Sequence, residues 1–156
     1  MGFDLEEWGL IGSTVLAEQR KADRQRLKMM VSLEMLAYTG NTQSYPHPAM
    51  GKFYGNRGDF IALVANARAG LMLSHAMEQH VKSKALPVLR AGINVPAVRR
   101  GDHSPFWDQG YNSPMVTDTS FMRNPNYHQM SDTIETLDLT FLASVIDGLE
   151  LALGEL

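Results

Sequence analysis

The chain has 156 residues, 44% of them hydrophobic, which is enough for one domain with a core of its own. Lys and Arg number 14 against 17 Asp and Glu, giving a formal net charge of −3, and no basic block stands out, which argues against a nucleic-acid partner. Cysteine is absent, so disulfides and thiolate metal sites are excluded and any metal must bind through His, Asp or Glu.

No stretch approaches the roughly 18 apolar residues that a membrane helix needs. Met1 to Glu7 is not a basic segment leading into an apolar one. The expectation is a single domain over residues 1–156, soluble, without a membrane partner or export signal, and cytoplasmic as given.

In chain order, Met1 to Leu5 alternates apolar and polar residues and reads as the tail of a strand. Leu10, Ile11, Val15 and Leu16 recur at helical spacing before a charged face of Glu18, Arg20, Lys21, Asp23 and Arg24, which predicts a helix over Gly9–Gln25. The apolar run Leu27–Leu36 predicts a buried strand, interrupted near its far end by Glu34. Thr39–Gly58 is rich in Gly, Pro, Asn, Ser and Tyr and is expected to be a long loop.

Asp59–Ala65 predicts a second strand, Ala67–Lys84 a helix, and Leu86–Leu89 a third short strand, an alternation that follows βαβ grammar. Gly101–Gln109 reads as loop or short helix, Ser113–Thr117 as a strand, and Leu137–Leu153 as a closing amphipathic helix. Asp132 with Glu135 has the form of a capping box. The ten methionines are read as flexible core filler.

Three places hold residues that can carry chemistry. Glu6 and Glu7 follow a strand-like segment, and in open α/β sheets ligands bind beyond the carboxyl ends of strands, although acids before a helix also serve its positive end. Glu34 ends a buried run, where a carboxylate calls for a metal or a base. His128 lies in the polar segment Arg123-Asn124-Pro125-Asn126-Tyr127-His128, where an imidazole can be a ligand or simply a hydrogen-bonded loop residue. His75 and His80 are five apart on a predicted helix and point in different directions.

Phe3-Asp4-Leu5-Glu6-Glu7-Trp8-Gly9, Leu33-Glu34-Met35, Asp102-His103 and the Arg123–His128 segment followed by Asp132-Thr133 together resemble the co-catalytic zinc exopeptidases, the family of bacterial leucyl aminopeptidases and glutamate carboxypeptidases. The likeness is to the carboxyl-terminal half of that family. It implies an α/β fold with a three-layer, mostly parallel sheet and helices on both faces, truncated at its amino terminus.

By the resemblance, Glu6 is the general base toward a zinc-activated water, Glu7 and His128 bind one zinc, and Glu34 binds the other. Asp102, His103, Arg123 and Tyr127 are expected behind the ligands or against substrate, with Asp102 and His103 in structural roles and Arg123 and Tyr127 either touching substrate or fixing their loop. The family's first histidine ligand and bridging aspartate lie upstream of the Glu-Glu motif, so a site for one or two zinc ions is incomplete within a single chain.

The implied function is a metal-dependent hydrolase of aminopeptidase type acting on a peptide or on a small amide or ester. The alternative is an inactive remnant or partner-dependent fragment of such a peptidase. A sheet lacking its first half also implies a homo-oligomer, with Met1–Leu5 at the contact.

Overall fold

The computed structural model describes residues 1–65, 75, 76, 79, 88–91 and 96–155. Its elements are α1 (Ile11–Ala22), β1 (Ser32–Glu34), α2 (Pro48–Tyr54), β2 (Ile61–Val64), β3 (Val88–Ala91), α3 (His103–Asp108), β4 (Met115–Thr117) and α4 (Leu139–Gly154). Single 3-10 turns lie at Pro96–Arg99, Ser120–Met122 and Ile134–Thr136.

The strands form one sheet in the order β1-β4-β2-β3. Pairing is parallel for β1 with β4 and for β2 with β3, while β2 and β4 run antiparallel with Leu63 opposite Val116. The sheet is therefore mixed.

Strand β2 is the centre of the domain. All four of its residues are exposed by 3% or less, as expected of a continuous apolar run covered on both faces. The two-residue pleat sorts them: Ile61 and Leu63, with Val116 of β4, pack on Phe141, Val145, Leu149 and Ala152 of α4. On the other face Val64 and Met115 meet Val98, with Trp107 of α3 against them, and Ala62 packs with Phe60 and Tyr45. Burying these side chains at about 1.5–3 kcal/mol each is the main force joining the sheet to its cover.

Several expectations are corrected. Met1–Leu5 forms no strand; Leu5 has φ 52° and opens a tight turn rather than extending. The first helix is shorter than Gly9–Gln25, because Gly9 (φ 103°) and Leu10 (φ 61°) are left-handed before it and Arg24 (φ 54°) is left-handed after it. Thr39–Gly58 contains α2, which starts where His47 Nδ1 accepts the Ala49 N–H at 3.1 Å and Pro48 takes the first helical position.

The capping box expected at Asp132 and Glu135 does not form. The cap of α4 is Asp138, whose Oδ1 accepts the Phe141 N–H at 2.8 Å, while Asp132 Oδ1 accepts from Asn124 Nδ2 at 3.2 Å. The helix expected over Ala67–Lys84 lies outside the described residues apart from the helical positions His75, Ala76 and Gln79, as do His80 and the start of the Leu86–Leu89 run. Among the described residues, no helix is long and apolar enough to cross a membrane.

Candidate metal centre

Glu6 and Glu7 sit in a tight turn ahead of α1. The Gly9 and Leu10 N–H groups donate to Glu6 O at 3.1 and 2.9 Å, and Gly12 N–H donates to Asp4 O at 3.2 Å. A side chain at Gly12 would collide with the Asp4 carboxylate and come within 2.8 Å of Asp4 O, so the absence of a Cβ lets this turn fold back on the helix. The two carboxylates are thus held on rigid backbone.

Glu34 reaches the same region from the end of β1. Ser32 Oγ donates to Glu34 Oε1 at 2.9 Å, and a Cβ on Gly101 would come within 2.7 Å of that oxygen, so Gly101 leaves the room that Glu34 occupies. Burial raises the Glu34 carboxyl above its usual pKa of 4.5, the Ser32 hydrogen bond opposes this, and the negative charges of Asp102 and Glu7 add to it.

His128 comes from the loop after β4, at a left-handed φ of 59°. Its ring lies on that of Tyr127, centroids 3.9 Å apart and 16° from parallel, and Tyr127 in turn touches Phe121 at 5.9 Å. Thus held, His128 Nε2 meets Glu7 Oε1 at 2.8 Å. Glu6, Glu7, Glu34, Tyr127 and His128 all line one cavity of about 370 Å³.

Glu6 feels the whole cluster. Desolvation and, after it, repulsion from Glu34, Glu7 and Asp102 lift its carboxyl from 4.5 to about 7, with His128 pulling the other way. A carboxyl so placed exchanges a proton near neutrality, the property a general base needs.

The other predicted residues lie behind the cavity rather than on its wall. His103 is fully buried, with Nε2 2.7 Å from Val98 O and its ring edge-on to Trp107 at 4.4 Å. Burial lowers its pKa from 6.5 to about 4, so it is neutral and Nε2–H donates to Val98 O. Asp102 precedes α3 without a side-chain cap bond, its Oδ1 buried and unpartnered.

Arg123 is only 4% exposed. Its Nε donates to Gln43 Oε1 at 2.8 Å and Nη1 to Phe60 O and Tyr38 O at 2.9 and 3.2 Å, while the guanidinium lies 4.4 Å over the Phe60 ring. It fixes the loop that carries His128 and is not among the residues that line the cavity.

Several cavity residues had no sequence signal of function. Met35, Met50, Met115 and Met122 line it together with Gln43, Tyr45, Arg100 and Phe121. Four of the methionines read as core filler are therefore wall. Nothing in their local pattern separates these from the rest, since their common address is tertiary.

Among the described residues no set of three His, Asp or Glu is grouped to hold a metal ion. The meeting of Glu7 and His128 is a two-donor arrangement, with Glu34 set apart from it.

Comparison with known proteins places this geometry. The profile described as Peptidase family M28 matches residues 1–152. The uncharacterized protein YfbL of Escherichia coli (strain K12) is 34% identical over 127 residues, covering 78% of this chain and 39% of that protein.

Among solved structures, the LapA aminopeptidase of Legionella pneumophila superposes with a TM-score of 0.66 at 20% identity, over 94% of this chain and 35% of that one. The aminopeptidase from Aneurinibacillus sp. strain AM-1 does so at 0.67 and 22% identity, over 98% of this chain and 32% of that one. At such identities the likeness is one of fold. The chain spans between about a third and two-fifths of the length of these relatives.

Proposed function

The chain belongs to peptidase family M28, and from that premise we propose that it is a metal-dependent hydrolase of aminopeptidase type, cleaving a peptide, amide or ester bond with a zinc-activated water. The observation that carries this reading is the 2.8 Å meeting of Glu7 Oε1 and His128 Nε2 beside Glu6, brought together from opposite ends of the sequence.

The donors fit zinc in kind, a carboxylate oxygen and an imidazole nitrogen. Glu7 and His128 would hold one ion and Glu34 would serve a second, so the chain's own residues supply part of the ligand set for one or two ions. When bound, zinc supplies Lewis acidity that polarises a carbonyl and acidifies water.

The protein's own contribution is proton handling and placement. Glu6 accepts the proton from water at its carboxylate oxygen and returns it to the leaving amine, a cycle that its raised pKa permits at neutral pH. Ser32 and Gly101 set the position of Glu34. Arg123 and the Phe121–Tyr127–His128 ring stack hold the histidine where Glu7 meets it.

On this reading the mixed sheet, with its two parallel pairs and cover on both faces, is part of a three-layer, mostly parallel arrangement. Self-association belongs to the same proposal and is supported by the exposure of Met1 (95%), Leu5 (50%) and Trp8 (80%) around the Glu-Glu turn. A second reading, a non-catalytic member that keeps the motifs, is favoured by the lack of a three-donor group among the described residues.

Metal content per purified chain, measured beside hydrolysis of leucyl arylamide and a simple leucyl ester, decides between the two readings. Activity that depends on zinc and falls in Glu6→Gln supports the hydrolase. Zinc-loaded protein that cleaves neither substrate supports the second reading.

A further inference from the structure

The cavity wall carries opposite charges at different places. Glu6, Glu7, Glu34 and Asp132 line it, while Arg100 is the one Lys or Arg among its described lining residues. The neighbouring arginines are engaged elsewhere: Arg99 pairs with Asp108 at 2.6 Å, and Arg123 is buried beneath the wall. Arg100 is exposed and forms no ion pair with any described Asp or Glu. Its guanidinium instead lies 5.3 Å from the Phe121 ring centroid.

That ring orients the cation relative to the reacting centre. Phe121 touches Tyr127, Tyr127 stacks on His128, and His128 meets Glu7, so two aromatic rings separate Arg100 from the proposed metal ligands. This exposed guanidinium has five N–H donors in a planar fork that matches a carboxylate. The Glu6 and Glu7 carboxylates suit a substrate ammonium and disfavour a second anion close to them. A ligand with a cationic amine at one end and a single carboxylate at the other matches this layout, and a cavity of about 370 Å³ is at the small end of the ligand-site range.

Resting on the hydrolase reading above, we propose that Arg100 is a specificity-determining residue that binds the substrate's free α-carboxylate. Dipeptides are then the preferred class over carboxyl-blocked or longer peptides. The scissile bond sits by Glu6, the second residue lies along Phe121 and Tyr127, and its carboxylate forks onto Arg100.

The test compares kcat/KM for leucyl-leucine and leucyl-leucinamide in the zinc-supplied full chain and in Arg100→Met and Arg100→Lys. The acid-to-amide ratio is expected to be about tenfold or more in the wild type, to fall toward one in Arg100→Met and to be partly kept in Arg100→Lys, as loss of a charge-assisted hydrogen-bond pair implies. A ratio near one in the wild type, or an equal ratio in wild type and Arg100→Met, overturns the proposal.

Calorimetric binding of N-acetyl-leucyl-leucine and of its carboxyl amide gives a second readout independent of turnover. Tighter binding of the acid that disappears in Arg100→Met supports the carboxylate site even if no peptide is cleaved, in which case only the hydrolase reading fails. Equal affinity for acid and amide in the wild type removes the site whatever the activity.

Discussion

Replacing Arg123 by Met keeps an apolar stem out to about the Nε position and removes the guanidinium with its charge and donors. Three acceptors then lose their partner: Gln43 Oε1, Phe60 O and Tyr38 O, at 2.8, 2.9 and 3.2 Å from the guanidinium nitrogens. Asp118, 2% exposed, loses the nearby positive charge that opposes the rise of its pKa on burial and keeps its backbone N–H bonds, among them those of Tyr38 and Ser120 at 2.8 and 3.0 Å.

Each stranded buried acceptor costs about 1–3 kcal/mol before relaxation. Because the shorter Met side chain leaves room for water to reach the three acceptors, the low end of that range applies to each, about 3–4 kcal/mol in all. With a urea m-value of roughly 2 kcal/mol per molar, the unfolding midpoint at pH 7 should fall by about 1.5–2 M.

Gly58→Ala tests the same site from the other side. A Cβ there would lie 2.6 Å from Arg123 Nε and 2.7 Å from its Cγ and Cδ, and a buried side chain tied by three hydrogen bonds has nowhere to move. The two changes should be strongly non-additive in the double variant. A loss below about 1 kcal/mol in Arg123→Met, or simple additivity with Gly58→Ala, would refute the view that this arginine anchors the loop bearing His128.

Three further outcomes are expected. His103, depressed from 6.5 to about 4 by burial, contributes stability that is complete above pH 6.5 and lost as pH falls toward 4; by linkage this is about 3 kcal/mol, so urea midpoints of wild type and His103→Gln should converge across that interval, and parallel curves would contradict it. Glu6 behaves in the opposite sense, since a carboxyl raised to about 7 favours the fold below pH 4.5 and loses that contribution as pH rises through 7.

The full Glu6 shift corresponds to about 3 kcal/mol, which solvent screening of this half-buried group reduces to about 1 kcal/mol. Metal-free Glu6→Gln should therefore melt higher than wild type at pH 8 but not at pH 4, while its hydrolysis falls by about 10²–10⁴-fold; unchanged turnover would place the base elsewhere. Gly101→Ala forces a Cβ to 2.7 Å from Glu34 Oε1 and 3.1 Å from His103 Nδ1, so elemental analysis after zinc loading should show reduced metal content in a variant that still folds, and full occupancy would separate Glu34 from metal binding.

The local physics of the chain was legible wherever a pattern repeats within a few residues. The apolar run at Ile61–Val64 could satisfy itself only as a buried strand, the helical spacing around Ile11–Ala22 and Leu139–Gly154 only as helices, and the residues Glu6, Glu7, Glu34 and His128 were visible as chemistry without a partner. Strand direction was not legible, because β2 and β4 pair antiparallel through contacts between residues more than fifty positions apart, and short apolar strands look alike in either direction.

For Arg123 the sequence left two roles open, fixing its loop or touching substrate. As sequence it is a basic residue in a polar loop, the composition of a solvated or substrate-facing site. It becomes a buried anchor only because Tyr38 and Gln43 from one stretch of chain and Phe60 from another bring acceptors and a ring to it. The same holds for the cavity: Arg100, Phe121 and the methionines have no shared period, so only packing of the sheet against its loops places a cation, two rings and four acids around one space.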